Sequence, residues 1–126
     1  MDVQRQIDYW RQGSQEDMEA ADALLEHRKI RQALFFGHLS LEKILKAHVT
    51  GTTGSVAPRT HDLLRLADLA GVTLADAERA IVARLQRYCQ EGRYPDLPLP
   101  ALSSEEARRE LEEMRRLCAW FANRLS

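Results

Sequence analysis

Apolar residues recur at three- and four-residue intervals along most of the chain, and that period predicts helices. The first set is Val3, Ile7, Trp10, Met18, Ala21, Leu24 and Leu25. Asp2 stands where an N-cap belongs, so the spacing predicts a helix from there to about His27. Its middle, Gln12 to Asp17, is polar, and Gly13 weakens it without stopping it because the period resumes in phase. The short link from His27 to Ile30 makes the next helix pack antiparallel to the first. That second helix, Arg31 to Thr50, is the expected centre of the fold. Leu34, Phe35, Leu41, Leu45 and Val49 form one broad apolar face, and Phe36, Leu39 and Ile44 extend it around the cylinder. His38 and Glu42 fall inside this face, four residues apart, and buried polar groups need partners.

Gly51 to Pro58 has the composition of a loop. Thr60 is the expected cap of a third helix with Leu63, Leu66, Ala67 and Ala70 inside, ended by Gly71. Thr73 is the expected cap of a fourth, with Asp76 in the reciprocal position and a stripe of Leu74, Ala77, Ile81, Leu85 and Tyr88. Gly92 suits its stop. Pro95, Pro98 and Pro100 then forbid a helix and predict an extended, semi-rigid connection. Ser103 and Glu106 form a capping box, with Leu102 placed to staple onto Ala107. The last helix carries Ala107, Leu111, Met114, Cys118, Phe121 and Leu125 inside, and Glu105, Arg109, Glu112 and Arg116 on a solvated face. The expected fold is all-α, an antiparallel helical bundle of about five helices, three long and two shorter, in one domain over residues 1–126.

Composition narrows the function classes. A net charge of −1 over 126 residues leaves no global basic field for nucleic acid. Cys89 and Cys118 both lie within helical patterns, as reduced core thiols of a cytoplasmic protein would. No stretch is apolar enough for a signal core or a membrane span.

The histidines, His27, His38, His48 and His61, stand at no metal-binding spacing, so no metal and no cofactor is expected. His38 with Glu42 lacks the further carboxylates of a bundle di-metal site. Gly51 to Ser55 has neither the trailing Gly-Lys-Ser/Thr nor the preceding strand of a phosphate-binding loop. Pro58-Arg59-Thr60-His61-Asp62-Leu63 puts Arg59 and His61 beside a helix N-terminus, where anions are attracted, although Asp62 already answers that dipole. Arg93-Tyr94-Pro95-Asp96 offers a guanidinium beside an aromatic plane, suited either to a helix C-terminus or to phosphate and base recognition.

Taken together, Phe35, Glu42-Lys43-Ile44-Leu45-Lys46-Ala47, Pro58, Thr60-His61-Asp62-Leu63, Arg93-Tyr94-Pro95-Asp96, Glu105-Glu106-Ala107 and Trp120 resemble the HEPN domain family, whose name abbreviates "higher eukaryotes and prokaryotes nucleotide-binding". The resemblance implies a compact helical homodimer, in prokaryotes often paired with a minimal nucleotidyltransferase in a toxin–antitoxin-like arrangement. Many members are metal-independent endoribonucleases that place two Arg-x4–6-His motifs across the dimer. Histidine there acts as acid and base while arginine steadies charge on the phosphate.

This chain departs from that motif. Pro98, Leu99 and Pro100 occupy the positions after Arg93 where histidine would stand, and Arg31-x6-His38 fits only in letters because His38 lies on the apolar face. The reading is therefore a non-catalytic or degenerate HEPN protein, dimeric, partnered with a nucleotidyltransferase. It would bind nucleotide or RNA through Arg59, His61, Arg93, Tyr94 and Asp96, with His38, Glu42 and Lys46 as a structural polar core. One alternative is a divergent endoribonuclease using Arg93 and His61. Another is an assembly module whose surplus apolar residues, such as Phe36, Trp10 and Trp120, build an interface.

Overall fold

The computed structural model describes residues 1–89 and 101–125. Along them lie α1 (Val3–Glu26), α2 (Ile30–Thr53), α3 (Leu63–Ala70), α4 (Asp76–Leu85) and α5 (Ser104–Ala122), with no strand among the described residues. Gly92 and the stretch from Arg93 to Pro100 lie outside them.

Local chemistry explains most of the helix ends. The Asp2 carboxylate accepts the Arg5 amide at 3.0 Å and starts α1. Ser103 and Glu106 close the reciprocal capping box of α5 at 3.0 Å each way. Three ends differ from expectation. α2 runs through Gly51, Thr52 and Thr53, and Gly54 at φ 68° supplies its left-handed cap. The turn-like composition is overridden because Thr52 Oγ1 donates to the Ala70 carbonyl at 2.8 Å and Thr53 Oγ1 bonds back to Val49 at 2.7 Å. α3 is capped by Asp62, which accepts from the Arg65 amide at 3.2 Å; Thr60 accepts the Asp62 amide instead. α4 begins after Ala75, so Thr73 caps nothing, and Asp76 and Glu78 oppose the helix dipole from its first turn.

α2 touches α1, α3 and α5 and supplies the centre of the core: Leu34, Leu41, Ile44, Leu45 and Val49 are buried. Phe35, Phe36 and Leu39 are only half-buried, and of these Phe36 packs against the core. The α1–α2 pair is antiparallel, with Ile7 beside Gly51 and Ser14 beside Ser40. The last helix instead runs alongside α2 in the same direction, Leu111 and Met114 lying at Gly37 and Phe121 at His48. A Cβ at Gly37 would overlap the Met114 sulfur and come within 3.0 Å of Leu111 Cδ1, so a larger residue here would force the Met114 side chain to move. On α5 the buried positions are Ala107, Leu111, Met114, Leu117 and Phe121, while Cys118 turns aside toward Ser40.

The polar middle of α1 is the seam with α2. Ser14 Oγ donates to the Ser40 carbonyl at 2.8 Å and Ser40 Oγ donates to the Ser14 carbonyl at 2.7 Å. One turn along, Lys43 pairs with Asp17 at 2.8 Å, its stem crossing α1 where Gly13 has no side chain. Two backbones tied this closely by small hydroxyls need no large apolar residue between them.

Candidate functional site

Glu42 is the hub of the site. It lies on the buried side of α2, and its two carboxylate oxygens take different partners. Oε2 accepts from Lys46 Nζ at 3.0 Å, one helical turn on, and Oε1 accepts from His61 Nδ1 at 2.9 Å, on the approach to α3. His38 is fully buried with Nδ1 at 3.9 Å from the same Oε1, so Glu42 draws its hydrogen bonds from Lys46 and His61. An ionised carboxylate is an acceptor only, which makes Nδ1 of His61 the donor, and Nε2 meets an anion as the N–H of the protonated ring. Glu42 and Lys46 are almost fully enclosed, whereas the His61 side chain is 40% exposed. The charge pair thus sits under the surface and reaches it through one imidazole.

Two residues that sequence reasoning did not place here complete the arrangement. Gln86, just past α4, donates to the His61 carbonyl at 3.0 Å and accepts the Leu63 amide at 2.7 Å, clamping the backbone that carries the imidazole. Nothing in the letters marks this glutamine. Trp10 on α1 presents its ring to Lys46 Nζ at 5.3 Å, a cation–π contact that helps hold the ammonium. Its apolar spacing marked it for burial, and the direction of Lys46 was needed to see its second role.

Three amides at the start of α3 already have acceptors: the Leu63 amide goes to Gln86, the Arg65 amide to the Asp62 carboxylate, and the Leu66 amide to the Asp62 carbonyl. Arg59, two residues before His61, is exposed. Arg93, Tyr94 and Asp96 lie outside the described residues. The structure brings His38, Glu42, Lys46 and His61 together and puts Arg59 two residues from His61 along the chain.

Other polar groups do not join this cluster. His48 donates Nε2–H to the Phe121 carbonyl at 2.7 Å, and burial lowers its pKa below the usual 6.5, so it stays neutral. Burial pushes the Cys118 thiol up to about 11, which leaves little thiolate and little reactivity. Among the described residues no cluster of three or more histidines, cysteines and acids is arranged to hold a metal ion, and no helix is long and apolar enough to cross a membrane.

A helical bundle with these signature residues in this order defines the class. The chain matches the HEPN domain family over residues 7–125 and belongs to it. Its fold is similar to the crystal structure of TT1696 from Thermus thermophilus, with a TM-score of 0.77 at 21% identity over 93% of this chain and 96% of that one. No curated protein matches it.

Proposed function

We propose that this HEPN protein binds the phosphates of RNA or a nucleotide at the mouth of α3, with His61 as the central contact and Arg59 beside it. The observation that carries this reading is the 2.9 Å bond from His61 Nδ1 to buried Glu42. A carboxylate beneath an imidazole holds the ring in one orientation, and an exposed ring so held is a built contact for an anion rather than a packing residue. Family resemblance supports a cytoplasmic homodimer partnered with a minimal nucleotidyltransferase, and names Arg93, Tyr94 and Asp96 as further contacts for the ligand. Titration of labelled RNA and of ATP against wild type, His61→Ala and Arg93→Ala tests the assignment. The two variants should bind about tenfold more weakly, the loss of one charge-assisted hydrogen bond; unchanged affinity in both would remove the site.

The same dyad favours a second reading, a metal-independent endoribonuclease. A histidine oriented by a buried carboxylate is the arrangement that acid–base catalysis uses, with His61 taking the proton of the attacking 2′-hydroxyl and returning it to the 5′-oxygen as its bond to phosphorus breaks, and Arg93 steadying the phosphate. RNA incubated in EDTA decides: cleavage by wild type and none by His61→Ala supports the enzyme, and intact RNA with both leaves the binding protein.

A further inference from the structure

The Glu42–Lys46 pair has a second outlet on the protein surface, on α1. Lys46 carries the cluster to Trp10, and the Trp10 ring packs edge-on against Tyr9 with centroids 5.2 Å apart. Tyr9 is 66% exposed, an unusual position for a large ring with an aromatic neighbour already available to cover it. Beside it is a hollow of about 250 Å³ lined by Gln12, Gly13, Glu16 and Lys43, open because Gly13 has no side chain. Trp10 Nε1–H is buried and has no hydrogen-bond partner among the described residues. Arg5, one helical turn before Tyr9, is exposed, while the acids Asp8 and Glu16 are each held by a glutamine one turn earlier, Gln4 at 2.9 Å and Gln12 at 3.1 Å.

We propose that Tyr9 is a stacking platform for a base of single-stranded RNA whose phosphates run toward His61. The proposal rests on the phosphate-binding reading of His61 and names the ligand class for that surface. An exposed ring beside cations is how sequence-tolerant single-strand binders hold successive bases, and a base must be unpaired to reach such a ring. Tyr9 and His61 are the two exposed ends of a chain of contacts through Trp10, Lys46 and Glu42, of which Lys46 and Glu42 are buried. A ligand that uses both is a strand, not a mononucleotide.

The test compares a short oligoadenylate with an abasic oligomer of equal length, which keeps the phosphates and lacks the bases. Wild type should bind oligoadenylate about tenfold more tightly, the size of one stacked base. Tyr9→Ala should lower oligoadenylate to the abasic level without changing the abasic affinity, and Tyr9→Phe should restore it. In a Trp120→Phe background, oligoadenylate should quench Trp10 fluorescence and the abasic strand should not. Equal affinity of Tyr9→Ala and wild type for oligoadenylate overturns the stacking site. So does a fall in sedimentation coefficient of Tyr9→Ala without RNA, which would assign the ring to contact with a second copy of the chain. His61→Ala separates the two readings. If it weakens both oligomers while Tyr9→Ala weakens neither, the His61 site stands and the stacking site falls; if Tyr9→Ala alone acts, the ring binds RNA and the His61 reading falls.

Discussion

Ser40 and Glu42 stand two residues apart on α2, both nearly inaccessible, and they serve different ends. Ser40 closes a neutral exchange with Ser14 in which each hydroxyl donates to the other backbone, and Cys118 Sγ lies 3.3 Å away. The Ser14–Ser40 bonds are buried, so their chemistry is spent on holding α1 against α2. Glu42 instead carries charge, shares it between Lys46 and His61, and one of those partners is open to water. Two buried polar residues of one helix differ in where their hydrogen bonds lead. A chain of bonds that ends inside the protein fixes packing, and one that ends at an exposed imidazole can act on something outside.

Glu42→Ala should separate the two positions most sharply. It strands the Lys46 ammonium in the interior, which is expected to cost about 3–5 kcal/mol, read from urea unfolding. Lys46→Met in the same chain should recover much of the loss, because the uncompensated charge is gone. RNA binding should weaken as well in Glu42→Ala, measured well below the unfolding transition. Ser40→Ala should cost less, about 1–3 kcal/mol, by leaving its Ser14 partners unsatisfied, and should leave RNA affinity unchanged. A loss of affinity there would show that the seam and the site are coupled. Asp62→Ala removes the cap of the helix that follows His61 and should cost about 1 kcal/mol in thermal or urea unfolding.

The smallest effect is a slope with pH. Burial holds the folded pKa of His48 below 6.5, so between these two values the unfolded chain binds the extra proton. The stability this neutral histidine contributes is therefore complete above about pH 6.5 and declines as pH falls toward its folded value. Thermal midpoints measured across this range for wild type and His48→Gln should show the variant with the shallower decline.

Legibility in the sequence follows range. The helices, their order and the caps at Asp2 and Ser103 were readable because they rest on side chains within four positions of one another. Thr60 and Thr73 misled because several polar residues compete near each start, and the backbone path chose Asp62 for one helix and no side chain for the other. The end of α2 misled because a threonine bond to Ala70, 18 residues away, outweighed local turn composition. At the site, the burial of His38 and Glu42 was visible as polar letters on an apolar face, Lys46 entered with the family resemblance, and His61 was visible as an odd residue before a helix. That His61 and Glu42 touch was not, since they are 19 positions apart and nothing local joins them.

The order of the letters was enough for the helical class and the antiparallel pairing of α1 and α2, since a 3.6-residue period and a short link leave no other arrangement. Packing in three dimensions set the direction of the last helix, where the glycine at position 37 lets Met114 approach, and it set which partners Glu42 took. His38 and Lys46 are equally placed along the helix, four residues to either side of Glu42. Only the packing of α1 and the approach to α3 turned the carboxylate toward Lys46 and His61, because a buried charge goes where the strongest available donors converge.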